Sequence, residues 1–376
     1  MAPVPPRIDP EVDARLKDLA CDPALYPFRF DPLHRTILFL LADPALFRQA
    51  SFLDERMVPT GSKGGWVSLD RIKAILASVS AADRAVRRPL HFIFHTSHCG
   101  STLLSRLLDQ DQRVLSLREP LPLRDLAVLF DDLDTDHALW SGGDFDSLVE
   151  TFGALWSRAP ARVEAVTVKA TSATQRLAPA LLSAWSGAKA IAISLKPEPH
   201  IATLLAGPNN LTDMKAWGRE RMIRLVRLAG PAPSPLHTLS PGEWAAFTWA
   251  AERLTQRDWF ADETLAPRLL DIDFDDLLAQ PGAVMGRVFH HIGVTPDTDY
   301  LARIAQTPAI SQYAKAPEHA YGPGLRAEVL RTARREQAVE IAKGLNWLER
   351  YAAGAPVLEK ALNAEGFGRE PSVLVP

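Results

Sequence analysis

The residues able to do chemistry concentrate between positions 91 and 119. His91-Phe92-Ile93-Phe94 is a short apolar run of the kind that forms a buried parallel strand. Small and polar residues come next, Thr96-Ser97-His98-Cys99-Gly100-Ser101-Thr102, and then Leu103, Leu104, Leu107 and Leu108 recur at helical spacing. A strand, a Gly/Ser turn and a helix aim unbonded backbone N–H groups and the positive end of a helix dipole at one point, where an anion is stabilised. The stretch therefore predicts a phosphate cradle. A nucleotide hydrolase would add a lysine, in the order G-x-x-x-x-G-K-[ST], to neutralise the β- and γ-phosphates. Here Ser101 and Thr102 follow Gly100 directly, and the nearby charge candidates are His95, His98 and Arg106. The plainer alternative is an ordinary strand–helix turn of an α/β domain.

The elements that must position this turn can be read from periodicity. Strands are expected at 113–117, 164–169 (EAVTVK), 189–195 (KAIAISL) and 268–274 (RLLDIDF). Helices are expected at 123–130, 145–157, 176–185, 213–229, 243–258 and 283–292. Strands alternating with helices at this spacing imply a mainly parallel sheet covered on both faces, with ligands at the carboxyl ends of the strands. Glu119 falls at the end of the second strand, Lys169 at the end of the third and Lys196 at the end of the fourth, all on the edge that carries the turn. Their bland readings are a surface Glu paired with Arg118 or Arg124, and strand-end lysines reaching into solvent. Residues 1–88 read as an added layer: a hairpin of 26–31 and 36–41, a helix over 69–80 after a cap at Ser68, and a loop at Gly61-Ser62-Lys63-Gly64-Gly65.

Composition narrows the classes. The chain has 376 residues, 47% hydrophobic and 23% charged, with a mean hydropathy of −0.05, as in an ordinary globular protein. A net charge of −3 argues against a dedicated nucleic-acid binder. Two distant cysteines, Cys21 and Cys99, exclude a disulfide framework and suit a cytoplasmic location. MAPVPPRIDP lacks the layout of a secretory signal, and the apolar run 37–42 is too short to span a bilayer, so no membrane partner is expected. His95, His98 and Cys99 have no second Cys/His pair at ligand spacing for zinc, and a calcium loop through Asp271, Asp273, Asp275 and Asp276 would want Gly at 276 and Glu at 282; no metal is expected. Lys215, Arg219, Arg221, Arg224 and Arg227 make a basic face on 213–229, by default a solvated one.

Taken together, the turn and the segments downstream of it resemble the sulfotransferase family, in its carbohydrate and tyrosyl-protein branches. The family's usual loop is a strand, Arg/Lys-Ser-Gly-Ser/Thr-Thr, then a Leu-rich helix; His98-Cys99-Gly100-Ser101-Thr102 falls on it, with His98 where Arg or Lys is usual. Arg118-Glu119-Pro120-Leu121 is similar to the element whose Glu is the general base, and Lys169-Ala170-Thr171 to a Lys-x-Pro/Thr element. The family's Arg-Asp-Pro-Arg with a Ser eight residues on, which holds the donor's 3′-phosphate, is degraded here to Lys196-Pro197-Glu198-Pro199-His200, with Thr203 the nearest hydroxyl. Phe274-Asp275-Asp276-Leu277, then Pro281 and a helix ending Phe289-His290-His291-Ile292-Gly293, matches the late Tyr-Glu-Asp-Leu … Pro … Phe-Leu-Gly segment. Lys315, in the aromatic loop 313–321, stands where the family closes its donor pocket.

The resemblance implies an α/β, three-layer P-loop NTPase-like fold over 89–300, with 1–88 added before it and the loop and helices of 301–376 packed after it. It implies sulfuryl transfer from 3′-phosphoadenosine 5′-phosphosulfate, without a metal, to a hydroxyl or amine on a small-molecule or carbohydrate acceptor. The catalytic residues would be Glu119, Lys169 and His98; the donor would be held by His98, Cys99, Gly100, Ser101, Thr102, Lys196, Thr203 and Lys315. The rivals are a nucleotide- or anion-binding module on the same fold that has lost catalysis, and a P-loop phosphotransferase, disfavoured by the absent lysine.

Overall fold

A computed structural model describes residues 8–78 and 87–367; the first seven residues and positions 79 and 80 of the expected 69–80 helix lie outside it. Five strands form the central sheet: β4 (Leu90–His95), β5 (Val114–Arg118), β6 (Ala165–Lys169), β7 (Ala190–Ser194) and β8 (Leu269–Asp273), in the order β5-β6-β4-β7-β8. Every neighbouring pair is parallel. The strands are nearly continuous apolar runs because both faces are covered. On β4 the alternation sends Phe92 and Phe94 into one core and Ile93 into the other.

From β4 the chain crosses to β5 on one side and later extends through β7 and β8 on the other, so its direction reverses beside β4. A crevice at the carboxyl ends of the strands is expected at such a reversal, and the turn 96–100 opens into it.

The added layer is larger than the sequence suggests. The hairpin of β1 (Leu25–Asp31) and β2 (Thr36–Leu41) carries a third antiparallel strand, β3 (Gly64–Ser68). Gly64 and Gly65 therefore belong to a strand, not to the expected loop. A Cβ on Gly65 would lie 2.7 Å from Ile8, so the glycine answers a close approach rather than a turn. This sheet shares one core with the helices Pro122–Asp132 and Gly142–Trp156 that cover the central sheet. It is also clamped to β5: Leu53 N–H donates to Arg118 O at 2.8 Å, and the fully buried Arg118 guanidinium donates to Phe47 O, Arg48 O and Ala50 O and pairs with Asp109. Arg118 is thus a structural rivet beside Glu119.

A third core is helical, built around the 21-residue helix Pro241–Ala261, whose start carries a reciprocal Ser240–Glu243 capping box. The expected helix 213–229 is two, Asn210–Ala216 and Gly218–Ala229. Its basic face is only partly a face. Arg221 and Arg224 are buried against Glu252 at 2.7 and 3.0 Å, because they recur with Leu225 on the inward side of the helix. Among the described residues no helix is long and apolar enough to cross a membrane.

Candidate functional site

The turn after β4 is held in a conformation that ordinary residues avoid. Ser97, His98 and Gly100 have φ of 78°, 47° and 76°; for non-glycine residues each left-handed position costs on the order of 1–3 kcal/mol and persists only where the surroundings impose it. Two buried imidazoles do so. His95 Nε2–H donates to Ala170 O at 3.0 Å while its Nδ1 accepts from Ser97 N–H at 3.1 Å, and His200 Nε2–H donates to Thr96 O at 2.8 Å. Burial keeps both neutral, His95 well below its ordinary pKa and His200 at about 4. Cys99 adds a third tie, its thiol donating to Ile193 O at 3.1 Å. His95 and the Cys99 side chain are therefore anchors of the turn, not charges at a ligand.

Gly100 starts the helix Ser101–Gln110, and no side chain caps it. The first-turn amides of a helix have no helical acceptor, so they and the dipole are left for whatever occupies the cavity in front. Thr102 sharpens this picture, since its buried hydroxyl has no hydrogen-bond partner. Gly100 is required for two reasons. Its φ is left-handed, and a Cβ would lie 2.0 Å from the ring of Phe274. Gly100→Ala is expected to lose about 1–2 kcal/mol from the backbone and about 1–3 kcal/mol from overpacking. Urea unfolding reads the sum; a loss of only about 1–2 kcal/mol would show that the Phe274 ring swings aside freely, and an unchanged midpoint would overturn both terms.

The cavity has a volume of about 510 Å³. Its polar wall includes His95, His98, Gly100, Ser101, Thr102, Lys169, Thr203 and Lys315; its apolar wall includes Phe274, Ile310, Tyr313 and Tyr321. Six of the residues singled out from the sequence thus meet around one space, and Lys169 makes a seventh. Lys169 is buried, and burial lowers its pKa, partly offset by an ion pair with Glu119. Glu119 itself follows β5 with φ 55°, its N–H donating to Lys169 O at 2.7 Å. The register that sets Arg118 opposite Lys169 brings the two side chains together at the strand ends. The second carboxylate oxygen of Glu119 lies 3.9 Å from Arg124 Nη2, an ion-pair distance too long for a hydrogen bond.

Other expectations land elsewhere. Lys196 is exposed at the start of the helix Pro197–Ala206 and takes no part in the cavity wall; β7 ends at Ser194, and the buried Leu195 turns the next residue to solvent. The Thr203 hydroxyl is within the wall but donates to Pro199 O at 2.7 Å in its own helix. Arg106 faces away, donating to Ala314 O at 2.6 Å and Ser51 Oγ at 2.8 Å. It thereby ties the helix Ser101–Gln110 to the small hairpin of β9 (Gln312–Tyr313) and β10 (Ala316–Ala320) that carries Lys315.

A cation of the wall escaped the sequence reading. Arg326, on the helix Pro323–Glu336, stacks its guanidinium 5.0 Å above the Phe274 ring and pairs Nη1 with Asp275 at 2.8 Å, while its buried Nη2 has no partner. A cation in the first turn of a helix opposes the dipole, and that placement after Pro323 was the available signal. Among the described residues no group of three His, Cys, Asp or Glu could hold a metal ion.

No family model and no curated protein sequence matches this chain. Among solved structures it is similar to a sulfotransferase domain from the curacin biosynthetic pathway, at 17% identity over 67% of this chain and 98% of that one, with a TM-score of 0.38. It is similar to the sulfotransferase domain of the Synechococcus PCC 7002 olefin synthase, at 16% identity over 76% and 97%, TM-score 0.39. It is also similar to mouse sulfotransferase SULT7A1, solved with PAP, at 14% identity over 74% and 89%, TM-score 0.37. At these scores the likeness decides nothing by itself.

Proposed function

We propose that this cavity binds 3′-phosphoadenosine 5′-phosphosulfate and that the chain transfers its sulfuryl group to a hydroxyl or amine acceptor. The observation that carries the reading is one arrangement: an uncapped helix start, behind a left-handed turn, opens into the same cavity as a lysine paired with a carboxylate. Unbonded amides suit the 5′-phosphosulfate, and the unpartnered Thr102 hydroxyl supplies one more contact. Lys169 stabilises charge on the group that leaves. Glu119 takes the acceptor's proton as the new bond to sulfur forms and the bridging oxygen departs with the bisphosphate. Lys315 and Arg326 supply cations for the 3′-phosphate, the work the degraded Lys196 segment was expected to do. In this reading residues 89–300 form the donor and catalytic core, the described part of 301–376 closes the donor side, and the described part of 1–88 braces β5 behind Glu119.

The second reading, a binding module without transfer, draws on the salt bridge that occupies one oxygen of Glu119. Ligand preference and transfer separate them. Adenosine 3′,5′-bisphosphate at about 100 times its Kd is expected to stabilise the protein by about 2.7 kcal/mol, with Mg·ATP giving much less. Preference for Mg·ATP would overturn the donor assignment, and donor binding with no transfer to any acceptor would favour the module.

A further inference from the structure

His98 stands where a permanent cation would be expected, yet nothing in the free protein favours its charged form. It lies on the left-handed part of the turn, half-buried in the cavity wall, and among the described residues neither ring nitrogen has a hydrogen-bond or ion-pair partner. The groups around it come from several elements. Lys315 of the β9–β10 hairpin, Lys169 at the end of β6 and His95 at the end of β4 share the cavity wall with it, and the charge of Arg221, on the helix Gly218–Ala229, and the imidazole of His200, on the helix Pro197–Ala206, act on it from behind. All are cationic or neutral. The carboxylates nearby are already engaged: Glu119 with Lys169, Glu252 with Arg221 and Arg224, and Asp275 with Arg326. Burial first, then Lys315 and the other cations, push the imidazole down to about 3.

An anion entering the cavity reverses that field. The donor's 3′-phosphate offsets Lys315, which has no acidic partner among the described residues, and its 5′ end supplies the acceptor that the ring nitrogens lack. We infer that His98 takes up a proton as the anionic 5′ end of the donor binds, so that the cation missing from the turn is made by the ligand itself. This rests on the donor reading above and deepens it. The free cavity holds one positive charge fewer than a lysine-bearing loop, which reduces its repulsion of Lys169 and Lys315; the full charge exists only in the complex. Donor affinity is then coupled to protons: it is greatest at low pH, weakens by up to about tenfold per unit between the titration of His98 in the free protein and its higher titration in the complex, and levels off above that.

The test is calorimetric titration of the donor, and of adenosine 3′,5′-bisphosphate, into the full chain at one pH near 6 in two buffers of different ionisation enthalpy. The wild type is expected to take up close to one proton more than His98→Lys or His98→Gln, since the ligand's own 3′-phosphate contributes equally to all three. Should a variant fold poorly, the imidazole Cε1–H resonance of His98 in the wild type gives the same answer, moving to its protonated position when ligand is added. Equal proton uptake in all proteins, or an imidazole that stays neutral in the complex, would overturn the inference while leaving donor binding intact. No binding of either ligand by the wild type would overturn the donor reading, and the inference with it.

Discussion

Glu119→Gln is expected to lower turnover by about 10²–10⁴-fold, the range a positioned general base contributes, while the affinity for adenosine 3′,5′-bisphosphate stays within about twofold. The second half of that result comes from geometry. Glu119 is held at the end of β5 by its own strained backbone and by the bond from its N–H to Lys169 O, and its side chain is absent from the cavity wall that would hold the nucleotide. The amide keeps the size of the carboxylate and one acceptor for Lys169, so the strand ends stay in place. What it loses is the charge that accepts a proton. There is a second consequence. Lys169 is buried, and Glu119 is the partner that favours its charged form; without it the ammonium deprotonates more readily, adding to the loss. Lys169→Met separates the two, since it removes the cation and leaves the carboxylate. Unchanged turnover in Glu119→Gln would take that residue out of the reaction.

How much of the molecule was legible in its sequence depends on the range of the interactions involved. The strand, turn and helix at 90–110 were legible because apolar period changes from continuous to helical within a few residues, and nothing distant is needed to see it. The five sheet strands fell within about a residue of their observed bounds for the same reason. β3 stayed hidden because Gly64 and Gly65 look like a loop; their strand conformation comes from pairing with β2 and from the approach of Ile8. Arg221 and Arg224 looked like part of a solvated face because Glu252, which buries them, lies some thirty residues on, in another helix. His95 looked like a candidate charge, and its work and that of His200 as neutral tethers of the turn depend on carbonyls just past strand ends that no spacing rule supplies. Lys196 misled in the opposite direction. A strand-end cation is a good guess for an anion site, but one residue of alternation past Leu195 carried it to solvent.

Arg326 is the residue on which nucleotide selectivity is expected to turn, and Arg326→Ala should weaken adenosine 3′,5′-bisphosphate about 10–100-fold while changing adenosine 5′-monophosphate by less than about threefold. Its Nη1 is committed to Asp275 and its plane to the Phe274 ring, which also lies close against Gly100. That leaves Nη2, buried and unpartnered, as a donor that pays for its desolvation until an anion meets it. A hydrogen bond to a charged group is worth about 1.5–3 kcal/mol, which sets the range of the loss. The fixed stack on Phe274 also holds the guanidinium at a constant distance from the turn, so it can discriminate a second phosphate from a hydroxyl rather than merely add positive charge. Arg326→Lys should recover part of the affinity through charge but little of the discrimination, because a point charge lacks the planar fork. Calorimetry with the two nucleotides against all three proteins measures both. Equal losses for the mono- and bisphosphate would move Arg326 to the 5′ side of the ligand and leave Lys315 to hold the 3′-phosphate.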